Sequence, residues 1–369
     1  MSIGLYMTKL KLMFFVNGSQ GSAAGIRAQM LAQRFPTEWE IQFQYRPIKK
    51  WQGILPFIKA ALHFKPDIIY VVDTAYTGVL AAYFTQKLLK CKLVVDSGDV
   101  AFELAKSVGT YSKTQLALIN WVERTAIQRA DCFIVRGSYH KELLEAQGSK
   151  RVEFIPDGID IKEVEEVNSS ALREKLGLTD NLVVGLIGTM AWSERHQMCY
   201  GWDIVEALGL LPNYPVKALL VGDGEGRKIL ENRAKELGIL DRVVFTGQLP
   251  YKELPQYLCA MDVCVSTQSN DLVGMVRTTG KLPLYLAYGK YVIATDVGEA
   301  KRVLPDVGYL LPYKGVRDNE HPARLAKHLQ ELLNEPHYLK VNTKAKQVAK
   351  DNFDYEILAA RLKSYLSDL

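Results

Sequence analysis

The chain has 369 residues, enough for two domains of ordinary size, and its 48% hydrophobic and 24% charged residues exclude a fibrous or disordered protein. No run approaches the roughly 18 consecutive apolar residues that a membrane-spanning helix needs. Net charge is +5 but uneven: residues 1–153 hold 20 Lys and Arg against 12 Asp and Glu, and the remainder hold 26 against 29.

Lys9 and Lys11 interrupt the N-terminus, and the apolar run Leu12–Val16 has the length of a strand. A leader peptide is therefore not expected, and a cytoplasmic protein is. Residues 10–16 predict a buried strand. Gly18, Gly21, Ala23, Ala24 and Gly25 then form a permissive loop, with Ile26, Met30 and Leu31 at helical spacing behind it. Strand, Gly-rich loop and helix open a doubly wound domain. The spacing is not G-x-G-x-x-G, and no acidic residue follows a second strand at the distance a dinucleotide site requires. The loop suits either close approach of a phosphate or sugar at Gly21 and Gly25 or an ordinary tight turn.

Residues 45–65 mix Arg46, Lys49, Lys50, Lys59 and Lys65 with Trp51, Leu55, Phe57 and Phe64. The pattern fits a helix lying at an anionic membrane surface, or a crossover helix with solvated lysines. No zinc-finger spacing, aromatic RNA-binding motif or Lys/Arg block longer than two points to nucleic acid. Strands are predicted over 67–73 and 92–99, with a helix over 77–89 between them. Asp96, Ser97 and Asp99 close the second strand, where ligands of open α/β sheets collect, although Asp and Gly are also ordinary turn residues there. A helix over 115–130, a strand over 132–138 and a helix around His140 follow. His140 is expected at the surface or as a helix cap. A short strand ends in Pro156-Asp157-Gly158, a good linker signal.

The second half repeats the alternation: a strand over 181–190, a helix over 202–211, strand, Gly-rich turn and helix over 217–237, strand and turn over 242–250, helix and strand over 251–266, and strands over 291–298 and near 307–311. Five cysteines without a C-x-x-C pair are expected to be reduced and mostly buried, with no metal site. The stretch Asp271–Gly289 stands out. Arg277, Thr278, Thr279, Gly280 and Lys281 open a short helix in which Leu282, Leu286 and Ala287 repeat at helical spacing. Cations and hydroxyls at a helix N-terminus suit a phosphate.

IPDGID (155–160), VGDGEGRK (221–228), VVFTGQLPYKELPQYL (243–258) and KLPLYLAYGKYVIATDVGEAKRVL (281–304), in that order, resemble retaining glycosyltransferases of GT-B fold, the family 4 type. The resemblance covers most of the chain. It implies an α/β protein of two doubly wound Rossmann-like domains with an interdomain cleft and a C-terminal crossover helix. It places an acceptor-binding domain at 1–165 plus about 354–369 and a nucleotide-sugar domain at 166–353. It further implies a nucleotide-diphosphate sugar as donor substrate, no cofactor or metal, and a saccharide or lipid-linked acceptor, within polysaccharide or cell-surface glycan synthesis.

Carried over by position, Gly247, Gln248 and Leu249 meet the nucleotide base. Gly188 and Thr189 face the diphosphate, and Gly21 to Gly25 approach it. Arg195, Arg277 and Lys281, with Thr278, Thr279 and Gly280, are expected to hold the phosphates; Asp271 or Asp99 would orient sugar hydroxyls. Three departures stand out. Val276 and Leu284 occupy the family's two glutamate positions, Tyr200 stands where a lysine is expected, and no histidine matches at 96–99. Lys281 would replace the missing cation. Loss of the glutamates leaves open a non-catalytic scaffold of the same fold or a nucleotide-sugar epimerase.

Overall fold

The computed structural model describes residues 10–47, 49–149 and 151–369. These divide into two units, one of residues up to Gly158 together with Tyr355–Leu369, the other Ile159–Asp354. The division falls at Gly158, inside the Pro-Asp-Gly turn, rather than at 165. Expectations about Lys9 and an N-terminal leader lie outside the described residues.

The first unit contains β1 (Lys11–Val16), β2 (Glu40–Tyr45), β3 (Ile68–Val72), β4 (Lys92–Ser97), β5 (Cys132–Val135) and β6 (Val152–Phe154). They form one parallel sheet in the order β2-β1-β3-β4-β5-β6. Parallel sheets are covered on both faces, so their strands read as continuous apolar runs. In β1, Leu12, Phe14 and Val16 face a core that includes Leu358 and Leu362 of the final helix, Tyr355–Ser367. Met13 and Phe15 face the opposite core with Phe57 and Val79.

Two elements escape the sequence reading. β2, EIQFQY, is an edge strand with no fully buried residue, so it lacks the apolar run that marks its neighbours. The helix Ala101–Val108 buries only Ala105. The basic, aromatic stretch 45–65 is a strand end, a single 3-10 turn at Lys50–Gly53 and a helix at Ile54–Phe64. The helix buries Phe57, Ala61 and Phe64, and Trp51 and Leu55 are exposed. No described helix is long and apolar enough to cross a membrane.

The second unit contains β7 (Leu182–Ile187), β8 (Val216–Val221), β9 (Val243–Gly247), β10 (Val263–Ser266), β11 (Tyr291–Thr295) and β12 (Tyr309–Leu311). Their order is β12-β11-β10-β7-β8-β9, again all parallel. Val184, Leu186, Ala218 and Leu220 face one core; Val183, Leu219, Cys264 and Tyr285 face the other. All five cysteines are unpaired, and four are buried.

His140 departs from expectation. It is 3% exposed on the helix Ser138–Ala146, edge-on to Phe133, and its buried Nδ1 has no hydrogen-bond partner. Leu144, one turn on, is also buried, so the helix turns this face to the sheet. A single polar residue on an apolar face carries no periodic signal that separates it from a surface position.

Candidate active site

In the second sheet the strand order reverses between β7 and β10, and ligands of open parallel sheets bind outside the carboxyl ends of strands at such a switch point. Gly188 and Thr189 follow β7. The loop carrying Asp271 and Arg277 to Gly280 follows β10, and it returns as the seven-residue helix Lys281–Ala287. Leu282, Tyr285 and Leu286 are the buried i, i+3, i+4 face that holds this helix to the sheet.

Tyr285 fixes the helix to β7. It is fully buried, and its hydroxyl accepts a hydrogen bond from the Ile187 N–H at 2.9 Å. One turn earlier on the same face, Lys281 is thereby brought to the end of β7. Gly188 has φ +151°, a backbone region open to glycine alone, and a Cβ there would come within 2.7 Å of Lys281 Cε. The lysine stem lies across the β7 turn only because position 188 has no side chain. The Lys281 ammonium stands 3.3 Å from the centroid of the Tyr200 ring. Gln268 Nε2 donates to the Tyr200 hydroxyl at 3.2 Å, and Gln268 is itself held through its backbone by Thr295 on β11.

Burial lowers the Lys281 ammonium from its ordinary value; Tyr200 opposes that shift and Arg277 adds to it. A desolvated cation beside a like charge is short of an anion, and a diphosphate supplies one. Thr278 is buried, Arg277 and Thr279 are half-buried, and Gly280 is exposed with open space about it. The helix terminus offers fewer backbone donors than the sequence suggests. The Leu282 N–H is bonded to Thr279 O at 3.1 Å, and Pro283 has no N–H. Side-chain charge, not free amides, is the main resource here.

The other positions expected in this unit fall as follows. Arg195 is exposed on a tight turn closed by Ser193 N–H to Met198 O at 3.0 Å and braced by Arg317, which donates to the carbonyls of His196 and Gln197. Gly247 ends β9; Gln248 is exposed and Leu249 packs against the core. Asp271 is a helix cap: its Oδ1 accepts from the Gly274 N–H at 3.0 Å and the Ser269 hydroxyl at 2.7 Å. Val276 is fully buried, and Leu284 packs beside Leu254 and Tyr288.

In the first unit, Gly21 is exposed with nothing near it. Gly25 is buried against the carbonyls of Ser19 and Gln20, leaving no room for a Cβ. Asp99 is half-buried beyond β4. Asp96 does not face a ligand site. It is 0% exposed and accepts from Arg27 Nε at 2.7 Å, Arg136 Nε at 3.0 Å and the Tyr70 hydroxyl at 2.8 Å. Burial pushes its carboxyl up, but Arg27 and Arg136 outweigh that and hold it below the ordinary range. Arg27 also donates to the carbonyls of Ile155 and Pro156, and Arg136 to Asp73. This network, with Gln268 and the contact of Lys281 with Tyr200 in the second unit, lay beyond the sequence reading: buried arginines carry no local pattern. Among the described residues no three His, Cys, Asp or Glu side chains converge as metal ligands.

Residues 16–163 match the family described as Glycosyltransferase Family 4, and residues 181–335 match Glycosyl transferases group 1. The chain is 26% identical over 293 residues to the 2-deoxystreptamine glucosyltransferase of Streptomyces kanamyceticus, covering 76% of this chain and 71% of that protein. It is 27% identical over 282 residues to the GDP-mannose-dependent alpha-mannosyltransferase of Mycobacterium tuberculosis, covering 75% and 67%. Its fold matches the crystal structure of HepE from Anabaena in complex with UDP-glucose at a TM-score of 0.77 with 20% identity, over 98% of this chain and 100% of that one. Two parallel sheets of this order, with these matches, define a GT-B glycosyltransferase that uses a nucleotide-sugar donor. Within that class the chain resembles family 4.

Proposed function

We propose that the second unit holds the diphosphate of a nucleotide sugar against Lys281, Arg277, Gly188 and Thr189, and that the first unit holds a saccharide or lipid-linked acceptor. The sugar passes to the acceptor with retention and without a metal ion, in polysaccharide or cell-surface glycan synthesis. The observation that carries this reading is the desolvated Lys281 ammonium lying across Gly188 at the switch point. As the bond from the anomeric carbon to the diphosphate breaks, positive charge grows on the sugar and negative charge on the leaving group. Lys281 and Arg277 stabilise the second of these, which is where fixed charge contributes most to rate.

A thermal-shift screen of UDP, GDP and their sugars tests the proposal, since a ligand that binds only the folded chain raises its melting temperature. One nucleotide sugar stabilises the wild type and stabilises Lys281→Ala much less. If no nucleotide shifts the wild type, the proposal fails.

Apolar residues at the two expected glutamate positions, Val276 and Leu284, favour a second reading, a binding partner of another transferase that holds the nucleotide without turnover. Calorimetric titration with UDP- and GDP-sugars, run beside a donor-hydrolysis assay, separates the two. Membrane contact through residues 45–65 belongs to the first proposal and rests on Trp51 and Leu55, each 67% exposed. Co-sedimentation with phosphatidylglycerol vesicles, lost in Leu55→Asp, tests it.

A further inference from the structure

The first unit contains a cavity of about 590 Å³ that no part of the donor site uses. Its size is that of a pocket for a small organic ligand. Its polar end is made by Asp73 and Thr74 directly after β3 and by Ser97 and Asp99 at the end of β4. The order of the first sheet reverses between β1 and β3, so this end adjoins that sheet's own switch point.

Asp73 is held there in a conformation that non-glycine residues avoid, with φ +67°. Its N–H donates to Asp96 O at 2.8 Å, its carbonyl accepts from Asn17 Nδ2 at 2.6 Å, and its carboxylate accepts from Arg136 at 2.7 Å. Backbone strain over-determined in this way is concentrated at ligand sites.

The rest of the cavity is apolar. Leu104, Ala105 and Val108 of the helix Ala101–Val108 face Leu118, Ile119 and Val122 of the helix Lys113–Arg129. The first helix is pinned by Glu123, whose carboxylate accepts from the N–H groups of Ala101 and Phe102. The wall is thus preformed, although Val108 and Leu118 remain 46% and 47% exposed.

We propose that this cavity takes the acceptor, and that the acceptor is a neutral polyol or sugar joined to an apolar aglycone. Its hydroxyls meet Asp73 and Asp99, and its apolar part lies between the two helices. This rests on the reading of the first unit as the acceptor-binding one. Asp73 and Asp99 accept hydrogen bonds from hydroxyls, and together with Asp96 and Asp157 they outnumber the guanidiniums of Arg27 and Arg136, so the polar end disfavours a phosphate-linked acceptor.

Calorimetric titration of the full chain with n-octyl β-D-glucoside below its micelle-forming concentration, D-glucose and n-octyl phosphate tests the proposal, each ligand also being run on Leu118→Asp and Ala105→Phe. Octyl glucoside should bind at least ten-fold more tightly than glucose and than octyl phosphate, and should weaken ten-fold or more in both variants. Leu118 is half-exposed, so its variant keeps the fold even if Ala105→Phe does not. Equal affinity for glucose and octyl glucoside, unchanged binding in Leu118→Asp, or octyl phosphate binding as tightly as octyl glucoside overturns the proposal. Nucleotide sugars in the same titration report on the donor site. Donor binding without octyl glucoside binding sinks this inference alone, and absence of both sinks the functional reading with it.

Discussion

The Lys281 ammonium sits 3.3 Å from the centroid of the Tyr200 ring. The ring holds in place the cation proposed to meet the diphosphate. A charge-assisted phosphate contact is worth about 1.5–3 kcal/mol, so Lys281→Ala lowers turnover ten-fold or more. A cation over an aromatic face gains about 0.5–2 kcal/mol, so Tyr200→Leu lowers turnover by a smaller factor, about five-fold. Steady-state kinetics with the donor found by thermal shift measures both. Wild-type turnover in Lys281→Ala removes that lysine from the site.

The Arg27–Asp96–Arg136 cluster makes a stability prediction. Arg27→Met strips one cation from a carboxylate that is 0% exposed and leaves the carbonyls of Ile155 and Pro156 without their donor. Breaking a buried ion pair costs about 3–5 kcal/mol, and the lower end applies because Arg136 still binds Asp96. Urea unfolding followed by circular dichroism should show a transition at lower urea for the first unit. An unshifted transition would mean that Asp96 is neutral in the folded chain.

Asp203 gives the second unit an unusual pH dependence. It lies buried on the helix Trp202–Gly209, and burial, opposed by Arg317 and reinforced by Asp318, pushes its carboxyl up to about 7. A raised carboxyl value means that the fold prefers the protonated form. The resulting stability is complete below the ordinary value of 3.8 and is lost as pH rises through about 7. Asp203→Asn should therefore melt higher than the wild type at pH 8, by roughly 2–4 °C per kcal/mol recovered, with the difference shrinking toward pH 4. A constant offset across that range contradicts the assignment.

How much of this was legible in the chain varies with the physics. The apolar runs of β1, β3, β7 and β8 announce parallel strands covered on both faces. β2 stays silent because an edge strand needs no such run. Lys281 was legible, since it opens an apolar helix after a loop of cations and hydroxyls. The stack of Lys281 on Tyr200 was not, because 81 positions separate them and only the fold of β7 and β10 brings them together. The same holds for the cavity beside Asp73, whose walls come from two helices, one of which lacks a clear apolar period.

His140 and His321 act in the opposite direction to Asp203. Burial pulls each imidazole down to about 4, and each has a buried Nδ1 with no partner. Their neutral forms support stability that is present above the ordinary value of 6.5 and is lost as pH falls through about 4. His140→Phe, beside Phe133, should flatten the acid limb of the first unit between those values. Thermal melts from pH 4 to 7 check this, and an unchanged limb refutes it.

The helix Tyr355–Ser367 closes the core begun by β1, so one globule is encoded in two separated stretches and the other lies whole between them. During synthesis the ribosome finishes Ile159–Asp354 while its predecessor still lacks a wall. The later-encoded lobe can therefore reach its native state first, and the earlier one waits for the codons of Tyr355–Ser367. A stop codon introduced after Asp354 would consequently injure the lobe encoded first and spare the one just translated.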